Sequence, residues 1–467
     1  MKESLWNGKE VLSVIKGHGS DNWNASGVSI DSRTLNPGDI FFALYGKNYD
    51  GHDFIPEALD RGAEVVISNA PSKFSYEKII FVDDVLMALT NLGIYARNRT
   101  KAMVIAVTGS SGKTTLKEMI AFGLSEYGKV YSSHSSYNNH IGVPLSLTRI
   151  PLDAQYVIIE IGMNRMGEIS NLSNITKPNI AVINNVGTAH FEFFKSIEEI
   201  KKEKASITDG LLNQGHLIYN YDLITSPSFN FESLNKEIDF LTFGKNKEAD
   251  FSLSNYEFNN DKCRINAKYK DQNMNFYLPF IGKHMALNCL AAASVCISLG
   301  NNPKNFLKKM ESFELIEGRG KRYICEYYGK KINIIDESYN SNPDSMSAAI
   351  QTFSSINNLD FKRKVLIVGD MLELGTLTQK AHENIASEIN NSSIDFVLAC
   401  GKEIKYTWEK IIEEKKGSYY SEADSLIEDL GELIRDEDLL LLKGSSSSNV
   451  HKIAKNLLSH FPVRKIA

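Results

Sequence analysis

The sequence predicts a three-domain α/β protein with open, largely parallel sheets, and three observations point there. Continuous apolar runs such as Met103-Val-Ile-Ala-Val107 recur along the chain, as strands covered on both faces require. Helical stretches alternate with them, the pattern of βα repeats. The 467 residues also exceed what one hydrophobic core usually organises.

Residues 1–100 form the first block, a small mixed α/β domain. Its short apolar runs are Asp39-Ile-Phe-Phe-Ala-Leu-Tyr45, Ala63-Glu-Val-Val-Ile67 and Lys78-Ile-Ile-Phe-Val82, separated by Pro, Gly and Asp. The central block, 101–314, carries parallel strands at Met103–Val107, Tyr156–Ile161 and Asn179–Ile183. A polar section at 222–277 reads as strands and loops, and His284–Leu299 as an Ala-rich buried helix. The third block, 315–467, repeats the βα alternation at Ile332–Ile335, Val365–Val368, Phe396–Ala399 and Leu439–Leu442, giving a Rossmann-like sheet.

Composition narrows the function. Hydrophobic residues make up 42% and charged residues 23%, so each block can bury a core. A net charge of −5 argues against nucleic-acid or membrane-surface binding, either of which calls for a basic face. An anionic ligand must then be held locally, by backbone amides, a few Lys or Arg, and metal ions. The five cysteines are scattered with no C-x-x-C pair, so neither a disulfide framework nor a structural zinc site is expected. No stretch approaches the ~20 apolar residues of a membrane span. The opening Met1–Trp6 lacks a signal-peptide core. A cytoplasmic, monomeric protein is expected.

The sharpest motif is Thr108-Gly109-Ser110-Ser111-Gly112-Lys113-Thr114, between a strand and a helical run. Glycines let backbone amides wrap a phosphate at a helix N-terminus. Lys113 would neutralise the β- and γ-phosphates of ATP, and the Thr114 hydroxyl would reach Mg²⁺. Val107 stands where the full phosphate-loop pattern has its first glycine. Glu160, at the carboxyl end of an apolar strand, is a Mg²⁺ ligand candidate or else an exposed strand-end carboxylate. His190 falls at the same sheet edge.

Ser196 and Glu199 spell a capping box that starts a helix, with an apolar stripe of Ile197, Ile200, Ile207 and Leu211. Lys204 lies on that stripe. It is either a lysine snorkelling to solvent or a buried, neutral amine able to take up CO₂. His284 and Asn288, one helical turn apart, suit an adenine edge, and Arg319 in Glu317-Gly-Arg-Gly-Lys-Arg322 can reach a phosphate oxygen.

Taken together, these motifs resemble the Mur ligase family over nearly the whole chain. The resemblance rests on Asp31-Ser-Arg33, Gly38-Asp-Ile-Phe-Phe-Ala-Leu-Tyr-Gly46 and Asp50-Gly-His52, and on Thr108–Thr115. It continues through Tyr137-Asn-Asn-His-Ile-Gly-Val-Pro144, Glu160-Ile-Gly-Met-Asn-Arg165 and Asn185-Val-Gly-Thr-Ala-His190. In the third block it includes Asp336-Glu-Ser-Tyr-Asn-Ser-Asn-Pro343 and Gly369-Asp-Met-Leu-Glu-Leu-Gly375 with His382. The Tyr339–Pro343 pattern is similar to the branch that adds D-alanyl-D-alanine to UDP-N-acetylmuramoyl-tripeptide through an acyl phosphate, in bacterial peptidoglycan precursor synthesis.

That resemblance implies a role for each matching residue. Ser32, Arg33, Gly46, His52, Asn138 and Asn139 would hold the UDP-substrate. Thr108–Thr115, His284, Asn288, Arg319 and Asp336 would bind ATP; Tyr339, Asn340 and Asn342 would bind the dipeptide. Two Mg²⁺ ions are implied, on Thr114 and Glu160 and on His190 and a carbamylated Lys204. Lys113, Glu160, His190 and Lys204 form the catalytic set. Ala205-Ser206 replaces the Gly-Glu usual after that lysine, Met285 replaces Asn, and Ser446 an Arg. The alternatives are the relative that adds the third stem amino acid, a folylpolyglutamate synthase, and a nucleotide-binding regulator without catalysis.

Overall fold

The computed structural model describes residues 4–46, 48–70, 76–223, 229, 231, 236–259, 262–356, 361–459 and 463–466. The α/β class is as the sequence predicts, and the described residues build three main sheets. The first is a four-stranded parallel sheet, in the order Gly27–Ser29, Asp39–Phe42, Val65–Ser68, Ile79–Phe81. All four residues of Asp39–Phe42 and of Val65–Ser68 are buried, which is why these runs do not alternate with polar residues.

Among the described residues the central sheet has nine strands. Across it run Gln272–Leu278, Lys262–Tyr269, Phe251–Asn259, Ile238–Gly244, Gly215–Asn220, Ile180–Ile183, Met103–Thr108, Tyr156–Glu160 and Val130–Ser132. It is parallel from Val130–Ser132 across to Phe251–Asn259, then antiparallel through the last two strands. The polar section at 222–277 thus supplies strands where it is described; the rest of it lies outside the described residues. Met103–Thr108, Tyr156–Glu160 and Ile180–Ile183 sit side by side, so the loops after them share one edge. The helix Lys283–Ser298 is Ala-rich because it is enclosed: Ala286, Cys289, Leu290 and Ala291 through Ala293 are fully buried beside the phosphate-loop helix Lys113–Leu124.

The third sheet runs Lys416–Tyr420, Phe396–Cys400, Arg363–Gly369, Asp438–Lys443, Lys330–Glu337, Lys321–Tyr327, Val463–Ile466. Its first five strands are parallel, and the strand Lys321–Tyr327 pairs antiparallel on both sides. A buried ion pair, Arg363 Nη2 to Asp438 Oδ2 at 2.7 Å, ties two neighbouring strand starts together.

The first and central domains are held by buried contacts. The Trp6 indole donates to the Thr148 carbonyl at 3.1 Å, Arg149 Nε to the Val28 carbonyl at 2.7 Å, and Arg97 Nε to the Thr176 carbonyl at 2.7 Å. Leu145 of the central domain is part of the first domain's apolar core. The third domain meets the central one across a cleft through polar side chains, with Phe258 and Ile281 against its core.

Candidate active site

The phosphate loop begins where Met103–Thr108 ends and passes into the helix Lys113–Leu124. Gly112 precedes that helix at φ +72°, and a Cβ there would lie 3.0 Å from the Asn184 and Asn288 side chains, so only glycine fits. Neighbouring loops fix the cradle's shape. Ser110 N donates to the Asn185 carbonyl at 3.1 Å, Ser111 N to Asn185 Oδ1 at 2.9 Å, and Ser110 Oγ accepts from Gly187 N at 2.8 Å. Lys113 folds back, its Nζ donating to the Gly109 carbonyl at 2.8 Å. Thr108 and Thr115 are buried, and Thr108 Oγ1 has no partner among the described residues.

Thr114 Oγ1 donates to Glu160 Oε2 at 2.7 Å, and Glu160 Oε1 accepts from Asn138 Nδ2 at 2.7 Å. Glu160 is therefore a buried carboxylate, 1% exposed, with an oriented hydroxyl and amide on its two oxygens. The alternative of an exposed strand-end carboxylate is excluded.

Lys204 is 1% exposed, on the helix Ile197–Ala205, so it does not snorkel to solvent. Its one hydrogen-bond contact among the described residues is Met163 Sδ at 3.8 Å. Burial, and then the charge of Lys113, hold its amine well below the ordinary lysine value. Next to it Glu203, equally buried, accepts from Gly167 N at 2.7 Å and Ile169 N at 2.8 Å, anchoring the lysine's helix to the segment after Glu160. Glu203 was not found from sequence; a Glu among Lys and Glu residues reads as solvated. Ile197, expected on the buried stripe, is 41% exposed at the helix's first turn. Half of the expected capping box forms: Ser196 Oγ accepts from Glu199 N at 3.2 Å, but Glu199 Oε2 accepts from Lys195 N at 2.9 Å instead of from Ser196 N.

His190 sits at the same sheet edge, with Nδ1 2.6 Å from Glu373 Oε2 of the third domain. The close approach of His190 holds the Glu373 carboxyl below its ordinary range. The backbone reinforces the contact, Glu192 N donating to the Glu373 carbonyl at 3.0 Å. Glu373 lies in the Gly369–Gly375 motif, but sequence gave no reason to pair it with His190.

Arg319 and Tyr339 come from the third domain as a stacked pair, the guanidinium 4.0 Å over the ring. Arg319 Nη2 and Tyr339 Oη both donate to Ser136 Oγ, at 3.1 and 2.9 Å. Asp336 is buried beside them, accepting from Gly318 N at 3.0 Å and from Ser338 Oγ at 2.6 Å, and burial raises its carboxyl above the ordinary range. A cavity of about 550 Å³ opens next to it, lined by Glu317, Tyr323, Tyr339, His451 and Lys455. Asn340 Oδ1 accepts from Ser341 N, and Asn342 caps the helix Pro343–Ser355 through Ser345 N, so both side-chain oxygens organise backbone.

Asn288 Oδ1 accepts from Asn184 Nδ2 at 2.8 Å, at the back of the phosphate loop. His284 lies near Glu337 and Lys443, which pair with each other at 3.1 Å, and burial lowers its imidazole below the ordinary value. The remaining candidates sit in the first domain or beside Glu160. Ser32 Oγ donates to Glu57 at 2.8 Å, Arg33 pairs with Asp31 at 2.7 Å, and His52 Nδ1 lies 2.6 Å from Asp50. Gly46 N donates to the Tyr49 carbonyl, and Asn139 Oδ1 accepts from Ile141 N and Gly142 N.

Charge summarises the chemistry. Lys113 and Arg319 lie together at the phosphate cradle beside the carboxylate of Glu160. That excess suits a polyanion, and the oxygen donors Thr114 and Glu160 suit a hard cation. No cluster of three or more His, Cys, Asp or Glu occurs among the described residues, so a cation here would take oxygens from hydroxyl, carboxylate and phosphate.

Fold and site together define an enzyme that uses a nucleoside triphosphate, with its phosphate loop at a parallel sheet and a second α/β domain closing on it. Three family models match in succession: Mur ligase family, catalytic domain, over residues 24–108; Mur ligase middle domain over 107–296; and Mur ligase, glutamate ligase domain, over 322–446. The chain belongs to the Mur ligase family, ATP-dependent enzymes that form C–N bonds. It is 32% identical over 462 residues to the UDP-N-acetylmuramoyl-tripeptide–D-alanyl-D-alanine ligase of Rickettsia prowazekii, covering 96% of this chain and 99% of that one. The enzyme of the same name from Escherichia coli is 31% identical, over 92% of this chain and 93% of its own. Among solved structures, MurF from Acinetobacter baumannii superposes with a TM-score of 0.82 at 26% identity, over 97% and 98% of the two chains. MurF ligase from Thermotoga maritima in complex with ADP gives 0.77 at 26% identity, over 92% and 96%. No helix among the described residues is long and apolar enough to cross a membrane.

Proposed function

We propose that this chain joins D-alanyl-D-alanine to UDP-N-acetylmuramoyl-tripeptide with ATP, through an acyl phosphate, in peptidoglycan precursor synthesis. One observation carries the reading: the cationic phosphate cradle around Lys113 is faced by Arg319 and Tyr339 of the third domain, which meet at Ser136 beside it.

The mechanism follows from charge. A carboxylate is a poor electrophile. Transfer of the γ-phosphoryl group to the tripeptide's terminal carboxylate forms a carboxyl O–P bond and breaks the bond to ADP. The dipeptide amine then attacks the carbonyl carbon, phosphate departs with the C–O electrons, and the amine gives up a proton. Lys113 and Arg319 oppose the charge of the transferring phosphoryl group. His284, Asn288 and Asp336 complete the ATP site with the loop residues. Ser32, Arg33, Gly46, His52, Asn138 and Asn139 take the UDP-substrate, and Tyr339, Asn340 and Asn342 the dipeptide. The three units are 1–100, 101–314 and 315–467.

The residues fit magnesium: Thr114 and Glu160 would hold one ion, and His190 with a carbamate on Lys204 a second, supplying charge neutralisation at the phosphates. An uncharged Lys204 amine, buried without an oxygen acceptor, is what carbamate formation needs. Glu203 meanwhile fixes its helix. A cytoplasmic site of action fits substrates of this kind.

Phosphate release tests the assignment. Turnover should require both UDP-N-acetylmuramoyl-tripeptide and D-alanyl-D-alanine. Acceptance of a single amino acid with the shorter UDP-dipeptide would favour the third-residue ligase, and phosphate release independent of both would sink the reading.

A further inference from the structure

We propose that Ser136 is the positioning residue through which the third domain sets the phosphate-loop hydroxyl of Thr114. This inference rests on the nucleotide reading of that loop. Ser136 belongs to no motif recognised in the sequence, yet three side chains from separate parts of the chain meet at its Oγ: Thr114 at 3.2 Å, Arg319 at 3.1 Å and Tyr339 at 2.9 Å.

Donor and acceptor inventory fixes the direction of each bond. A guanidinium only donates, so Arg319 uses one Ser136 lone pair, and Tyr339 O–H uses the other. Thr114 has one proton, which it gives to Glu160 Oε2 at 2.7 Å. Towards Ser136 it can therefore only accept, and the single Ser136 proton goes to Thr114. The result is an ordered chain, Tyr339 O–H to Ser136 O–H to Thr114 O–H to Glu160. One Thr114 lone pair remains for a cation.

The segment carrying Ser136 is built to hold still. Fully buried Lys117 donates to the carbonyls of Ser133 and Ser135, the latter at 2.7 Å. Ser135 takes φ +47°, a left-handed conformation that a serine adopts only when its surroundings enforce it. Departure of the third domain removes both donors to Ser136 and frees its hydroxyl to rotate. Closure thus orients the Thr114 oxygen that would hold a metal ion.

The test is a double-mutant cycle of Ser136→Ala and Tyr339→Phe, read by steady-state kinetics and by Mn²⁺ binding to the enzyme–ADP complex in electron paramagnetic resonance. Ser136→Ala should weaken Mn²⁺–ADP binding and lower kcat by about tenfold, as loss of a partner behind a metal ligand does. Tyr339→Phe, which keeps the ring under Arg319, should weaken binding less, and the double variant should be no worse than Ser136→Ala. Ser136→Thr, retaining the hydroxyl, should restore binding. Additive losses, or unchanged Mn²⁺ affinity in a folded Ser136→Ala protein, would overturn the proposal. If Ser136→Ala does not fold, unchanged Mn²⁺ affinity in Tyr339→Phe would overturn it alone. The Mn²⁺ readout is independent of which acid and amine are joined. Wild-type protein that bound no Mn²⁺–ADP would overturn the phosphate-loop reading, and this inference with it.

Discussion

Lys113 and Lys204 share one electrostatic neighbourhood but face opposite demands. Lys113 must stay cationic to meet phosphate, and Lys113→Ala should reduce ligation to background while leaving the fold intact, checked by phosphate release and circular dichroism. Burial, and then the charge of Lys113, push the Lys204 amine towards its neutral form. Enzyme equilibrated with ¹³C-bicarbonate should therefore give a carbamate carbon resonance that is missing from Lys204→Arg; an identical spectrum for both proteins would contradict the carbamate. Glu373 fixes the ring of His190 from the third domain. Truncating it to Ala should lower kcat about 10- to 100-fold, whereas Glu373→Gln, still able to accept from Nδ1, should lose much less. Helical spacing placed Lys204 on the stripe without need of a partner, but snorkelling and burial both stayed open until the structure buried it. Ser136 and Glu373 were not legible, because a serine or glutamate in a loop acquires meaning only from partners some 180 to 200 residues away.

At the scale of elements, Met103–Thr108, Tyr156–Glu160 and Ile180–Ile183 of the central sheet and four parallel strands of the third were readable because strands covered on both faces are apolar throughout. Lys262–Tyr269 and Gln272–Leu278 alternate buried with exposed residues and read only as strands and loops. The ends of the apolar strands needed the structure. Val107 was expected to end its strand, but Thr108 extends it, buried and carrying the loop. His382, on the helix Thr378–Asn390, pins the loop that bears Glu373. Its Nδ1 lies 2.7 Å from the Thr378 carbonyl and its Nε2 accepts from Met371 N at 3.2 Å, which requires the neutral ring. Burial lowers its pKa from the ordinary 6.5. The unfolded chain then takes up a proton that the folded one refuses. The stability owed to His382 is full above about 6.5 and falls as pH drops below it, by up to ~1.4 kcal/mol per pH unit. The gap in thermal midpoint between wild type and His382→Gln should accordingly shrink on acidification from about pH 8 to 5, and a constant gap would contradict this.

For the whole molecule, the two domain joints differ in kind. The first domain is joined to the central one by the Trp6, Arg97 and Arg149 contacts and the shared Leu145 core. The third reaches across the cleft by hydrogen bonds such as Thr188 N to Asp344 Oδ2 at 3.0 Å. Water can replace the latter set cheaply, so the third domain is the one expected to move. Fluorescence energy transfer should change with Mg²⁺–ATP between labels on the central and third domains, and stay constant between the first and central domains. The fate of the carboxylate oxygen reports the activation step itself. Tripeptide substrate labelled with ¹⁸O in its terminal carboxyl group should deliver one ¹⁸O to each phosphate released during ligation. Phosphate free of the label, with peptide product still forming, would contradict activation of the acid by the cradle at Lys113.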